Sequence, residues 1–169
     1  MYTRYCRLGL ILACLVTTTG SALPDDSPAT LDVCTALRRI ESLDGKIVTV
    51  RGKFISGREL TELAADTACP GDLMIEGVKW AWAMEYSAQS SNDKLGNILK
   101  SGECRPPECR ILVTVTGRLV SNRRQPIFTD RDGRTSHIGF GAFNVFPALI
   151  NVFEVKEARA DHSGGSSGR

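Results

Sequence analysis

Histidine is scarce in this chain, and its scarcity limits the chemistry that the protein can perform. The 169 residues contain two histidines, His137 and His162. There is no His-Glu-x-x-His motif, no glycine-rich phosphate loop and no distinctive pair of carboxylates in the sequence. The sequence therefore predicts no catalytic residue, no metal site and no cofactor.

Long apolar runs and a net charge are also missing. The apolar stretch at residues 8–16 is roughly half as long as a membrane span requires, so we expect no transmembrane span. The net charge of +2 falls to zero when Arg4 and Arg7 are removed with a leader. Because phosphate contacts supply much of the affinity of nucleic-acid binders, which are usually basic, this balance argues against nucleic acid as a partner.

Residues 1–22 have the organisation of a secretory signal peptide. A basic start is followed by the apolar stretch at residues 8–16 and by small residues up to Ala22. We therefore predict an exported protein, periplasmic or secreted, that is cleaved after Ala22. The alternative is a lipid anchor at Cys14, because residues 11–14 resemble a bacterial lipobox.

An even number of cysteines remains after the leader, and in an exported chain this indicates disulfide bonds. They are Cys34, Cys69, Cys104 and Cys109, which allow three pairings. Since Cys104 and Cys109 flank a short loop that can bring them together, we favour Cys104–Cys109, which leaves Cys34–Cys69. A metal site is the alternative, but the spacing of Cys104 and Cys109 is looser than zinc sites use and no histidine pair accompanies them.

Hydrophobic periodicity divides the chain into segments. Residues 23–30 form a polar linker, residues 31–157 form one domain, and residues 158–169 form a disordered tail. Within the domain we predict a helix at 31–43, strands at 46–56, 59–65 and 73–86, a helix at 90–100, and strands at 110–121 and 148–155. The strand at 73–86 is either continuous or divided around Gly77.

This order of elements predicts a mainly β fold with some helix: an OB-like five-stranded barrel. One helix lies at the N-terminus of the domain and another lies between strands three and four. Gly52 and Gly117 fall in the middle of the first and fourth strands. Because glycine has no Cβ atom, a strand can coil at such a point without a steric clash.

Four segments also resemble a loose group of small exported bacterial proteins with OB-like folds and no assigned activity. The resemblance is carried by Val33-Cys34, residues 44–52, Cys69-Pro70 and residues 139–150. It implies an OB-like fold over about residues 33–155, and it implies no particular chemistry.

The candidate ligand-binding residues are aromatic and basic. Trp80, Trp82 and Tyr86 occupy alternate positions of the third predicted strand, where OB folds commonly bind ligands. The competing interpretation is that these rings fill the barrel interior. Arg123 and Arg124 lie near a predicted loop and suit the recognition of phosphate or carboxylate, although a solvated hairpin would look the same.

These observations favour a non-catalytic binding module at the cell envelope, whose partner is an envelope protein, a glycan or a small ligand. One alternative is a small secreted hydrolase in which His137 acts as the base. Another is an oligonucleotide-binding OB protein, which the neutral charge disfavours.

Overall fold

The computed structural model describes residues 29–57, 60–88, 93–101, 110–129, 131–133 and 135–160. The predicted signal peptide with Cys14, most of the predicted linker, Cys104 and Cys109 lie outside the described residues, and so does the tail from residue 161.

Strands dominate the described chain. The strands are β1 (Leu31–Asp32), β2 (Ile47–Ser56), β3 (Thr61–Ala64), β4 (Leu73–Ile75), β5 (Val78–Trp80), β6 (Ala83–Ala88), β7 (Arg110–Ser121), β8 (Ile127–Thr129), β9 (Thr135–His137) and β10 (Ala148–Ala160). The helices are α1 (Val33–Arg38), α2 (Ile40–Leu43) and α3 (Asp93–Lys100), and a 3-10 helix covers Asn122–Arg124.

Five of these strands form a closed barrel. They pair in the order β2, β3, β6, β10 and β7, and β7 pairs back onto β2. Neighbouring barrel strands are antiparallel except β6 and β10, which run parallel. Counted along the chain, the barrel strands follow the order 1-2-3-5-4, and α3 lies between the third and fourth. The predicted mainly β, OB-like five-stranded barrel is therefore confirmed.

Two glycines allow the barrel strands to approach closely. A Cβ atom at Gly52 would lie 2.6 Å from the carbonyl oxygen of Ala64, and one at Gly117 would lie 2.6 Å from that of Asn151. Real side chains essentially never make contacts this short, so only glycine fits at either position. This is the physical basis of the mid-strand glycines seen in the sequence.

The segment predicted as one N-terminal helix is divided in the structure. Leu31 and Asp32 pair in parallel with β2, and a turn at Arg39 separates α1 from α2. Asp32 is the N-cap, as its side chain accepts a 2.8 Å hydrogen bond from the backbone N–H of Thr35. The apolar faces of both helices are buried in the main core.

The third and last predicted strands also differ from their expected bounds. Residues 73–86 contain three strands, because the chain turns at Gly77 and is interrupted again at Ala81 and Trp82. β4 and β5 form a separate hairpin, and only β6 belongs to the barrel. β10 continues past Val155 to Ala160, where it still pairs with Ile111, so residues 158–160 are strand rather than tail.

A disulfide joins Cys34 in α1 to Cys69 in the connection between β3 and β4. This confirms the predicted Cys34–Cys69 bond, whereas the predicted Cys104–Cys109 bond lies outside the described residues. Within the described residues, no helix has the length and apolar character needed to cross a membrane.

The topology places two long connections at the same end of the barrel. Ala64 is paired with Ala83, and Ser121 is paired with Ala148. Because β6 and β10 are parallel neighbours, the connection at residues 65–82 and the connection at residues 122–147 leave the barrel at the same end.

Candidate functional site

A pocket of about 670 Å³ opens between these two connections. One side of its wall is residues 78–81 of the first connection, which include β5. The other side is Phe128 of β8, residues 136–139, and Asn144 with Val145. The hairpin of β8 and β9 therefore faces the hairpin of β4 and β5 across the pocket, which we call the hairpin pocket.

The second connection is held in place by an apolar cluster on the barrel. Phe140 and Phe146 are buried against Ala83 at the start of β6. The backbone N–H of Phe140 donates to the carbonyl of Phe146 at 2.8 Å, and that of Gly141 donates to the Glu85 carboxylate at 3.1 Å. These contacts position residues 138–145 as one wall of the hairpin pocket.

Trp80 forms the buried part of the wall, with 8% of the residue exposed. A Cβ atom at Gly139 would lie 2.6 Å from Cζ3 of Trp80 and would also run into the carbonyl of Asn144. The indole therefore packs directly on the Gly139 backbone. The Trp80 Nε1 atom is buried and has no hydrogen-bond partner among the described residues, so the ring contributes to the pocket through its apolar atoms.

Large apolar side chains stand exposed at the rim of the hairpin pocket. Phe128 is 56% exposed and Val145 is 39% exposed, although they come from different segments of the second connection. Leaving such surface in water forgoes the free energy of burial, about 25 cal/mol per Å². Exposed apolar side chains that line the same pocket are a common feature of ligand-binding sites.

His137 is half-buried in the pocket wall, and its orientation follows from one hydrogen bond. Its Nδ1 atom lies 2.8 Å from the carbonyl oxygen of Gln125. A carbonyl only accepts hydrogen bonds, so Nδ1 carries the hydrogen in the neutral ring and Nε2 is the basic nitrogen. The orienting group is a neutral carbonyl rather than a carboxylate, unlike the third member of a catalytic triad.

The remaining polar side chains of the wall are Lys79, Ser136 and Asn144. Lys79 pairs with Asp72 at 2.8 Å, and these side chains are 68% and 60% exposed. Within the described ranges, no three His, Cys, Asp or Glu side chains lie close enough together to hold a metal ion.

The other two predicted aromatic residues lie away from the hairpin pocket. Trp82 donates from Nε1 to the carbonyl of Gly71 at 2.9 Å, and the Arg38 guanidinium lies 5.4 Å from its ring centroid.

Tyr86 is inside the barrel, where its ring meets Phe54 edge to face at 4.9 Å. Burial raises the pKa of the Tyr86 hydroxyl. Because the strand is interrupted between Trp80 and Tyr86, the predicted aromatic stripe does not form one surface.

The two predicted arginines take part in ion pairs at the barrel end. Arg123 lies 2.6 Å from the Glu41 carboxylate and 3.4 Å from that of Glu76. Arg124 lies 3.0 Å from the Asp44 carboxylate. These pairs connect the 3-10 helix to α2 and to the turn before β2, which gives both arginines a structural role.

Asp44, the ion-pair partner of Arg124, also contacts the backbone. Besides pairing with Arg124, it accepts a 2.8 Å hydrogen bond from the backbone N–H of Ser121. Burial alone would raise the pKa of Asp44, but the Ser121 hydrogen bond and the Arg124 charge outweigh burial and lower the pKa. The charged form of Asp44 therefore stabilises the fold.

Sequence reasoning missed Phe128, residues 138–139 and Val145 as parts of a site. A usable signal was present, since apolar Ile127-Phe128 and polar Thr135-Ser136 flank a short segment, residues 130–133, whose Asp and Gly residues are typical of a hairpin turn. Trp80 is the predicted binding residue that the structure places in the hairpin pocket.

No family model, curated protein or solved structure matches this chain. The fold supports the resemblance to small exported bacterial proteins as far as the five-stranded barrel. Because no comparison gives a match, no family is identified.

Proposed function

We propose that this protein is a non-catalytic binding module that takes a small apolar ligand into the hairpin pocket. The observation that carries the proposal is the combination of Trp80, buried in the wall, with exposed Phe128 and Val145 at the rim. The volume of about 670 Å³ falls within the range typical of small-molecule sites, about 300–1,000 Å³. Trp80 is the predicted residue that would contact the ligand.

We further propose that the module is exported to the periplasm or the cell exterior. The leader predicted at residues 1–22 and the Cys34–Cys69 disulfide support this location, since structural disulfides persist mainly in oxidising compartments. Intact-mass measurement of the protein from its host checks both the cleavage after Ala22 and the alternative of acylation at Cys14.

Hydrolysis is the second candidate function, and one observation favours it. His137 lines the hairpin pocket, and its hydrogen bond to Gln125 leaves Nε2 as the basic nitrogen of the neutral ring. An ester-hydrolysis screen that compares the wild type with His137→Ala tests this alternative. Oligonucleotide binding has less support, because Arg123 and Arg124 are paired with carboxylates.

A fluorescence titration tests the binding proposal. The neutral apolar dye N-phenyl-1-naphthylamine brightens when it leaves water, and we expect the wild type to bind it at one site. Phe128→Ser removes an apolar side chain from the rim and should weaken binding by roughly tenfold. Phe153→Ser is the matched control, because Phe153 is also exposed, at 40%, but lies on β10 outside the pocket wall.

The comparison of the two variants decides the outcome. Weakening by Phe128→Ser alone supports the hairpin pocket as the site. Equal binding by all three proteins, or no binding by the wild type, overturns the proposal. Far-UV circular dichroism of each variant establishes that it is folded.

A further inference from the structure

One polar side chain of the hairpin pocket wall, that of Lys79, carries a formal charge. Its ammonium only donates hydrogen bonds, whereas the Ser136 hydroxyl and the Asn144 amide both donate and accept them. Within the part of the wall that the structure describes, no Asp or Glu side chain lines the pocket. Lys79 is thus the charged group of the described wall that a ligand meets, and its charge favours an anion over a cation.

From this wall, and resting on the proposed function, we infer that the ligand is an apolar monocarboxylate. Its alkyl or aromatic body lies against Trp80, Phe128 and Val145, and its carboxylate lies at the rim beside the ammonium of Lys79.

The exposure of the groups sets the orientation of this ligand. Lys79 is 68% exposed, so a carboxylate beside it keeps much of its hydration. A carboxylate placed against the buried Trp80 ring would lose its hydration without a charged partner, which is strongly unfavourable. The apolar body therefore enters the pocket and the head group remains near water.

Asp72 is the group that competes with the ligand for Lys79. The two side chains lie 2.8 Å apart, and more than half of each is exposed. Exposed ion pairs are weak because water and salt screen them. A ligand carboxylate held close by its buried apolar body can therefore take over the Lys79 ammonium.

Three compounds with one alkyl chain and different head groups test the inference. Octanoate, 1-octanol and octylamine are each titrated against the full chain carrying bound N-phenyl-1-naphthylamine, and displacement of the dye is measured. We expect octanoate to bind roughly two- to fivefold more tightly than 1-octanol, the range of an exposed charge pair. Octylamine should bind most weakly, because its ammonium meets Lys79.

Variants locate the head group. Lys79→Gln should lower the affinity for octanoate to that for 1-octanol, so that the preference between the two compounds disappears. Lys100→Gln is the matched control, since it removes the same charge from the exposed end of α3 and should leave the preference intact. Asp72→Asn frees Lys79 from its partner and should strengthen octanoate binding by about twofold.

These experiments distinguish a failure of the proposed binding function from a failure of the carboxylate assignment. If the dye and all three compounds fail to bind, the binding function is overturned and the carboxylate assignment with it. If 1-octanol binds as tightly as octanoate, or if Lys79→Gln keeps the preference, the carboxylate assignment is wrong while the pocket stands as an apolar site.

Discussion

At the scale of single residues, the barrel end is held together by side chains that the sequence suggested for ligand binding. Arg123 and Arg124 contact Glu41 and Asp44, and Trp82 contacts Gly71. Arginine and tryptophan are residue types that suit recognition, but the carboxylate partners of the two arginines lie about 80 residues away along the chain. A sequence pattern does not show which carboxylate reaches a given arginine, so structural and binding arginines look alike.

Asp44 gives a prediction at this scale. The pKa of Asp44 is lowered from its ordinary value of 3.8 in the folded protein, so its stabilising contribution is complete above pH 3.8. That contribution is lost as the pH falls through the folded-state pKa. Asp44→Asn should lower the free energy of unfolding by about 1 kcal/mol at pH 7.

Urea unfolding of the wild type and Asp44→Asn, followed from pH 7 into the acid range, measures this effect. The two proteins should converge in stability once the pH has fallen below the folded-state pKa of Asp44, where protonated Asp44 resembles asparagine. A difference that stays constant over the whole range would contradict the role given to the Asp44 charge.

At the scale of elements, the barrel strands are the part of the structure that the sequence predicts best. β2 and β7 are long and alternate apolar with polar residues, and each carries its glycine at a close approach between strands. β8 and β9 were missed because three residues are too few for a periodic pattern. The N-terminal segment was predicted as one helix because its apolar spacing runs through Arg39 without interruption.

The glycine of β7 gives the prediction at this scale. A Cβ atom at Gly117 would lie 2.9 Å from Cγ1 of Ile150, in addition to its clash with the Asn151 carbonyl. Gly117→Ala should therefore lower the free energy of unfolding by about 1–3 kcal/mol, the usual cost of overpacking.

Gly96→Ala is the matched control for this substitution. Gly96 lies in α3, and a Cβ atom there meets nothing within 4 Å, so alanine should add up to about 1 kcal/mol through its helix propensity. Urea unfolding of both variants measures the contrast. If Gly117→Ala were as stable as the wild type, the close approach of β7 and β10 would not have the importance that we give it.

At the scale of the whole molecule, the candidate site is a product of topology. Residues 78–81 and residues 136–139 are distant in sequence, and they meet because β6 and β10 are parallel neighbours that place both connections at one barrel end. Trp80 was identifiable because it is aromatic and lies near a barrel strand. Phe128 and Val145 were not, since their importance depends on what lies across the hairpin pocket.

The most direct test of the whole account is a map of amide chemical shifts in the nitrogen-15-labelled protein on addition of octanoate. We expect the shifted residues to cluster at 78–81, 136–139 and 144–145, while β7 and the 3-10 helix at Asn122–Arg124 stay unchanged. Shifts centred on Arg123 and Arg124, or scattered over the barrel, would contradict the hairpin pocket as the binding site.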